Sequence, residues 1–192
     1  PTGAIHGVLN MINKLIIDQR ENNRIAIIFD APGPTFRSEI YSKYKINRPP
    51  MPDDLKIQVD PLIKLIKTMG IPLLRISGVE ADDVIGTLCK KASQEGFKTI
   101  ISSIDKDFAQ LVNNKITIVN SMNGNTLNRD GVKTKFDVYP EQIIDWLALV
   151  GDTSDNIPGV PKVGAKTAAK WLNQYGDIET IIANAEEIPG KV

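Results

Sequence analysis

Arg24-Ile-Ala-Ile-Ile-Phe-Asp30 is a short apolar run closed by an acid and followed at once by Ala31-Pro32-Gly33-Pro34. A run without polar alternation suits a strand covered on both faces, and the Pro/Gly break carries the chain off the sheet into a loop. Phe97 to Ile104 repeats the pattern and ends at Asp105, while Ile71-Pro-Leu-Leu-Arg-Ile76 and Ile116 to Asn120 read as further strands. Helical periodicity fills the intervals. Ile5, Val8, Leu9, Ile12, Leu15 and Ile16 mark a helix over Ala4 to Ile17, ahead of a polar break from Asp18 to Arg24. Others are predicted from about Asp54 to Met69, from near Glu80, from Glu141 to Val150 behind Pro140, from Ala165 to Tyr175, and from about Asp177 to Ala185; Asn123-Gly-Asn125 is predicted as a turn. Strands alternating with helices imply an α/β fold with a mostly parallel sheet flanked by helices.

A chain of 192 residues, 42% hydrophobic, can bury a sizeable core. The single cysteine, Cys89, excludes an internal disulfide framework, and no Cys/His cluster has zinc-ligand spacing. No apolar run approaches the roughly 20 residues of a membrane span, and the first residues lack signal-peptide character, so the expectation is a cytoplasmic protein with no membrane partner. Basic and acidic residues both number 23, so any nucleic-acid binding depends on where the charges sit. The start at Pro1 and the stop at Val192 read as the ends of a fragment.

Asp30 and Asp105 stand at the carboxyl ends of predicted strands, where open α/β sheets present reactive groups. Glu80-Ala-Asp82-Asp83 opens a helix, Asp105-Lys-Asp107 straddles a loop, and Gly151-Asp152-Thr-Ser-Asp155 follows the helix ending at Val150. Singly, Asp82, Asp107 and Asp152 are each as readily explained as helix caps. Gathered at one sheet edge, eight carboxylates would repel one another and raise their pKa values unless a cation compensated. Oxygen-only ligands point to Mg²⁺ or Mn²⁺. Two such ions about 4 Å apart can activate water and steady a phosphodiester without a histidine or a nucleophilic side chain. The one histidine, His6, falls in the first amphipathic helix, where a packing or surface role suits it.

The segment Phe36 to Arg48 sets Arg37, Lys43, Lys45 and Arg48 against the single acid Glu39, interleaved with Phe36, Tyr41 and Tyr44. Cations neutralise phosphates and rings stack on unpaired bases, but a solvated amphipathic helix explains the segment equally well. Gly159-Val-Pro-Lys162-Val-Gly164 before the helix at Ala165 offers backbone amides, with Lys162, Lys166 and Lys170, as a phosphate site; an ordinary turn between packed helices is the alternative.

Together, Phe29-Asp30-Ala31, Thr35-Phe36-Arg37, Tyr44-Lys-Ile-Asn-Arg48, Gly78-Val-Glu-Ala-Asp-Asp83, Asp105-Lys-Asp107 and Gly151-Asp-Thr-Ser-Asp-Asn-Ile-Pro-Gly-Val160 resemble the 5′ nuclease domain of bacterial DNA polymerase I, in order and spacing along nearly the whole chain. The resemblance implies a PIN-like nuclease core over residues 1–139, with an arch or clamp at about 36–56, and a truncated, all-α helix-hairpin-helix-type DNA-binding region over 140–192. It implies a Mg²⁺- or Mn²⁺-dependent 5′ to 3′ exonuclease and flap endonuclease for primer removal and repair. One metal group would be Asp30, Glu80, Asp82 and Asp83, and a second Asp105, Asp107, Asp152 and Asp155. Lys45 and Arg48 would act on the scissile strand, with Tyr44 stacking on a base and Arg37 touching a phosphate. Gly159, Val160, Lys162, Val163, Gly164 and Lys166 would hold duplex DNA, with a potassium ion at 159–164. Implied partners are 5′-flap, nicked or gapped DNA, RNA primers and a covalently linked polymerase domain, in a monomer working in the bacterial cytoplasm at the nucleoid. The family begins with a strand that carries a further metal-binding aspartate, absent from this chain, and it continues beyond Val192. The other readings are a structure-specific DNA-binding module, a stand-alone flap endonuclease and, least suited to the Gly159 segment, a PIN-type toxin ribonuclease.

Overall fold

The computed structural model of the chain describes residues 1–19 and 24–188. Helix α1 (Gly3–Asp18) lies on α3 (Asp53–Thr68), and Ile12, Leu62, Ile66 and Ile71 form a small core closed by Phe29 and Leu73. The first-turn amides of α1 have no cap of their own, because the Thr2 side chain makes no cap bond. Gln58, 6% exposed on α3, supplies the acceptor: its Oε1 takes the Ala4 and Ile5 N–H groups at 2.9 and 3.3 Å, and its Nε2 donates to Asp54 O at 2.7 Å. A buried amide is tolerated there because both of its ends are satisfied.

The predicted strands form, but shorter than their apolar runs. β1 (Ile27–Ile28) pairs in parallel with β2 (Leu73–Leu74), and β3 (Thr99–Ser102) in parallel with β4 (Ile116–Val119). A short β5 (Thr126–Leu127), unforeseen, adds an antiparallel edge to β4. The parallel pairs are bridged by α4 (Ala81–Gln94), which packs on both β1 and β3. The polar break expected from Asp18 to Arg24 lies largely outside the described residues.

Between Thr35 and Arg48 the chain forms only the five-residue α2 (Phe36–Ile40) and then a series of turns. The continuous amphipathic helix that was the alternative reading of this segment is absent, and Arg37, Lys45 and Arg48 turn onto the protein's own carboxylates. After Asp105 comes a 3₁₀ turn (Lys106–Leu111), and α5 (Arg129–Phe136), also unforeseen, is capped by Asn128 Oδ1 on Gly131 N–H at 2.9 Å.

The C-terminal region is α6 (Ile143–Val150) behind a 3₁₀ turn at Pro140–Gln142, then β6 (Gly151–Asp152) paired antiparallel with β7 (Ile157–Pro158), α7 (Ala165–Tyr175) and α8 (Ile178–Ala183). The region is helical, as expected, apart from this two-residue ladder. Its hairpin ladder is 151–158, and 159–164 is the tight turn after it. Gly151, at φ +76°, and Gly159 are required by close approach: a Cβ on either would meet the backbone of the other strand or of Val150. One apolar cluster runs from Ile101, Phe108 and Ile118 through Val132 and Val138 into Ile143, Trp146, Leu172 and Ile181, so α6 to α8 pack on the β3–β4 body as one core. Phe136 meets Trp146 edge-on at 5.5 Å. Among the described residues, no helix is long and apolar enough to cross a membrane.

Candidate functional site

The fold brings the eight acids to one rim: Asp30, Glu80, Asp105 and Asp155 lie on loops, Asp82 and Asp83 in the first turn of α4, Asp107 in the 3₁₀ turn and Asp152 in β6. Asp30 follows β1 and accepts the Ala81 N–H at 2.7 Å, so it caps α4 from a distant segment. Asp83 Oδ2 accepts the Glu80 N–H at 3.0 Å. Asp105 Oδ1 accepts the Asp107 N–H at 2.9 Å, and Asp152 Oδ1 takes the Ser154 N–H and Oγ–H at 2.8 and 2.5 Å. Four acids thus accept backbone N–H groups, Asp30 across the fold and the other three locally.

Asp82 and Asp107, which on sequence grounds could have been caps, make no such bond. Desolvation, followed by the charges of Asp105, Asp30 and Glu80, pushes the Asp82 carboxyl up to about 6. Burial and then Asp105 push Asp107 up to about 6 as well. Asp107 Oδ1 is buried and, among the described residues, without a hydrogen-bond partner. An orphaned carboxylate oxygen inside a field of like charge is a costly arrangement that a cation would relieve.

Four cations already compensate part of that field. Arg37 grips Asp83 with both guanidinium nitrogens at 2.6 and 2.7 Å, which holds the Asp83 carboxyl below the usual range. Lys45 Nζ donates to Glu80 Oε1 at 2.7 Å and lies 3.7 Å from Asp155. Arg48 Nη2 reaches Asp155 Oδ1 at 2.5 Å. Burial acts on Asp152 too, but Ser154 and the Lys106 ammonium at 2.9 Å outweigh it and hold its carboxyl at about 2. Tyr44 is placed with its hydroxyl between the two acid groups, donating to Glu80 at 2.9 Å or Asp155 at 3.0 Å, while the Lys45 ammonium lies 4.8 Å from its ring centre. Burial and those two carboxylates raise its phenol well above the ordinary range.

The segment 43–48 is fastened to the loop 153–156 by backbone as well as charge. Lys45 N–H donates to Asp155 O at 2.9 Å, Asn47 Nδ2 to Thr153 O at 2.9 Å, and Asn156 Nδ2 to Lys43 O at 2.8 Å. Lys45 and Asn156 both take left-handed backbone conformations, φ +54° and +59°, to make this join. Sequence reasoning missed Lys106, Asn47, Ser154 and Asn156. For Lys106 the signal was present, since a lysine between two clustered acids in Asp105-Lys-Asp107 must pair with one of their group.

A cleft of about 340 Å³ opens between Arg48, Asp105, Asp107, Asp152 and Asp155. Among the described residues, no three acid, histidine or cysteine side chains are already gathered at metal-ligating spacing. The donor set nonetheless suits a hard divalent cation: oxygen only, two carboxyls displaced towards neutrality by burial and then by neighbouring acids, and one buried oxygen with no partner among the described residues.

The turn at 159–164 departs from expectation in its chemistry. Val160 N–H donates to Leu149 O at 2.8 Å and Val163 N–H to Val160 O at 3.0 Å, so these amides are spent inside the protein and do not await a phosphate. Its left-handed residue is Lys162, φ +65°, following Pro161, while the glycines serve the strand crossing and the start of α7. Gly164 leads α7 without a side-chain cap, and Lys166 is in its first turn.

The family model described as the 5'-3' exonuclease N-terminal resolvase-like domain matches residues 1–137, and that of the 5'-3' exonuclease C-terminal SAM fold matches 138–192. The chain belongs to the 5'-3' exonuclease family. It is 53% identical to the DNA polymerase I of Pseudomonas aeruginosa over 98% of its own length and 21% of that protein. It is 47% identical to a 5'-3' exonuclease of Buchnera aphidicola subsp. Baizongia pistaciae over 98% of its length and 62% of that protein. The chain therefore spans less than two thirds of these curated relatives. In fold it matches the bacteriophage T5 flap endonuclease, solved in a pseudo-enzyme-product complex with DNA and metal ions, at a TM-score of 0.81 with 23% identity, covering 98% of this chain and 72% of that one.

Proposed function

We propose that the protein carrying this sequence is a structure-specific 5′ nuclease that hydrolyses phosphodiesters of DNA at 5′ flaps, nicks or RNA primers. The observation that carries the reading is the convergence of eight acids around Asp82 and Asp107, with Tyr44, Lys45 and Arg48 laid directly on them. An acidic rim alone would repel DNA, and a basic loop alone would only bind it. A rim whose counter-charges sit on a separate short segment can exchange some of those pairs for a phosphate and a cation.

Asp30, Glu80, Asp82 and Asp83 would hold one divalent ion, and Asp105, Asp107, Asp152 and Asp155 a second. Mg²⁺ or Mn²⁺ bound there would supply Lewis acidity to the phosphodiester and acidify an attacking water. The protein's own contributions are distinct from that. Lys45 and Arg48, released from Glu80 and Asp155, would take up the phosphate that replaces those pairs, and Arg37 would keep Asp83 ionised. Tyr44 would fix the spacing of the two acid groups and present its ring to a base once the ammonium over it moves to phosphate. Lys162, Lys166 and the open N-terminus of α7, with Gly159, Val160, Val163 and Gly164 shaping the turn, would contact duplex phosphates away from the cleft. A potassium ion at 159–164 would find carbonyl oxygens and no carboxylate, a donor set for a loosely held monovalent ion.

The identity to a DNA polymerase I supports a parent with a polymerase domain; in this reading it acts as a monomer in the cytoplasm on nucleoid DNA, with residues 1–139 as its nuclease core and 140–192 as its duplex-binding part. The identity to a protein named 5'-3' exonuclease in Buchnera supports a second reading, a nuclease without a polymerase, which the sequence flanking this chain decides. The test of activity is a 5′-labelled flap incubated with the full-length protein in Mg²⁺ and in EDTA, beside an Asp105→Asn variant. Cleavage that needs the metal and falls at least about 100-fold in the variant supports the reading; flap binding without cleavage would reduce the protein to a DNA-binding module.

A further inference from the structure

A second cleft, of about 530 Å³, adjoins the acidic one and shares its wall Ile104-Asp105-Lys106. It lies between the β4–β5 turn and α5, with Ile118 and Leu127 as an apolar floor and Asn120, Asn123, Asn125 and Lys135 around it. Its volume falls within the range of about 300–1,000 Å³ that ligand clefts occupy.

Away from Asp105, two of its asparagines present donors, and the local backbone makes them do so. Asn120 Oδ1 accepts the Met122 N–H at 2.9 Å and Asn123 Oδ1 accepts the Asn125 N–H at 2.9 Å. With the oxygens engaged, the amide NH₂ groups of both side chains remain, and no acceptor meets them among the described residues. Lys135 forms no ion pair among the described residues; its ammonium lies 5.2 Å from the Phe136 ring centre. Amide donors, one unpaired ammonium and an apolar floor suit a ligand with an anionic, oxygen-rich edge and a flat apolar body.

We propose that this cleft is a subsite for the nucleotide next to the scissile phosphodiester, with Lys135 on its phosphate and Asn120 and Asn123 on phosphate or base carbonyl oxygens. The proposal rests on the nuclease reading, because a strand lying over Asp105 reaches both clefts across their common wall. None of the residues that line it beyond that wall belongs to the acid groups, the basic segment 36–48 or the turn at 159–164.

The test uses the full-length protein, its Lys135→Ala and Asn123→Ala variants, and 5′-flap substrates in which the phosphodiester on either side of the scissile one is replaced by an uncharged methylphosphonate. One of the two replacements raises KM for the unaltered protein about 10-fold, Lys135→Ala raises KM on the natural flap by a similar factor with a smaller change in kcat, and the two changes together cost little more than either alone. A KM within twofold of the unaltered protein in both variants, or a methylphosphonate penalty that persists in full in Lys135→Ala, overturns the proposal. Fluorescence anisotropy with the same flaps in EDTA reads the same pairing as a change in Kd. The subsite is thereby tested even if no cleavage occurs, and failure of the nuclease reading is seen separately as loss of metal-dependent cleavage by the unaltered protein.

Discussion

Replacing Asp107 by Asn should make the metal-free protein more stable while weakening its response to divalent cations. The Asp107 carboxyl is raised from 3.8 to about 6 by burial and by Asp105. A carboxylate with a raised folded-state pKa holds its proton more tightly when folded, so its contribution to stability is complete below the unfolded value near 3.8 and is lost as pH rises through about 6. About two pKa units correspond to at most about 3 kcal/mol, and solvent screening in this half-open cleft reduces that to about 1 kcal/mol. At pH 7.5 in EDTA, Asp107→Asn should melt about 2–4 °C above the unaltered protein. At pH 4 the gap should close, since the native side chain is then protonated as well. In Mg²⁺ the order should reverse, because a ligand at 100 times its Kd stabilises the unaltered protein by about 2.7 kcal/mol and the variant by less. A variant less stable than the unaltered protein in EDTA at pH 7.5, or one stabilised equally by Mg²⁺, would refute the reasoning.

The apparent affinity for Mg²⁺ should rise between pH 5 and pH 8 as Asp82 and Asp107 lose protons near 6; calorimetric titrations at the two pH values should differ by about 10-fold or more. Arg37→Lys forfeits the two-pronged grip on Asp83 and should cost about 1 kcal/mol at pH 7. Because the Asp83 pKa is depressed, that stability is present above the unfolded pKa and lost as pH falls through the folded one, so urea midpoints of the two proteins should converge in acid. Gly159→Ala drives a Cβ into the Val150 backbone and should cost about 3 kcal/mol or more, whereas Gly3→Ala, with open space around it, should shift the urea midpoint little.

The helices were legible because their apolar faces repeat at helical spacing over many residues, and α7 lies at Ala165–Tyr175 as its pattern implied. Strand position was legible but length was not: runs such as Arg24 to Asp30 state that a segment is apolar, while the ladder is limited by how far its neighbour runs alongside, here two residues. α5 escaped notice because Arg129 to Phe136 buries only Val132, too few contacts to imprint a period. The acids could be named from their places at element ends, yet their individual states could not. Whether Asp82 or Asp30 serves as the cap depends on which segment arrives at the Ala81 N–H, and that is a tertiary fact. The pairing of Lys45 and Arg48 with Glu80 and Asp155 was hidden for the same reason. A basic segment looks alike in sequence whether its partner is a phosphate, water or the protein's own carboxylates.

The most direct measurement is an anomalous difference map from crystals of the full-length protein soaked in Mn²⁺. Peaks beside Asp82 and Asp107, within ligand distance of carboxylates from the two acid groups, are the expected result. Strong Mn²⁺ peaks elsewhere with none in the acidic cleft would contradict the assignment of these eight carboxylates to metal binding.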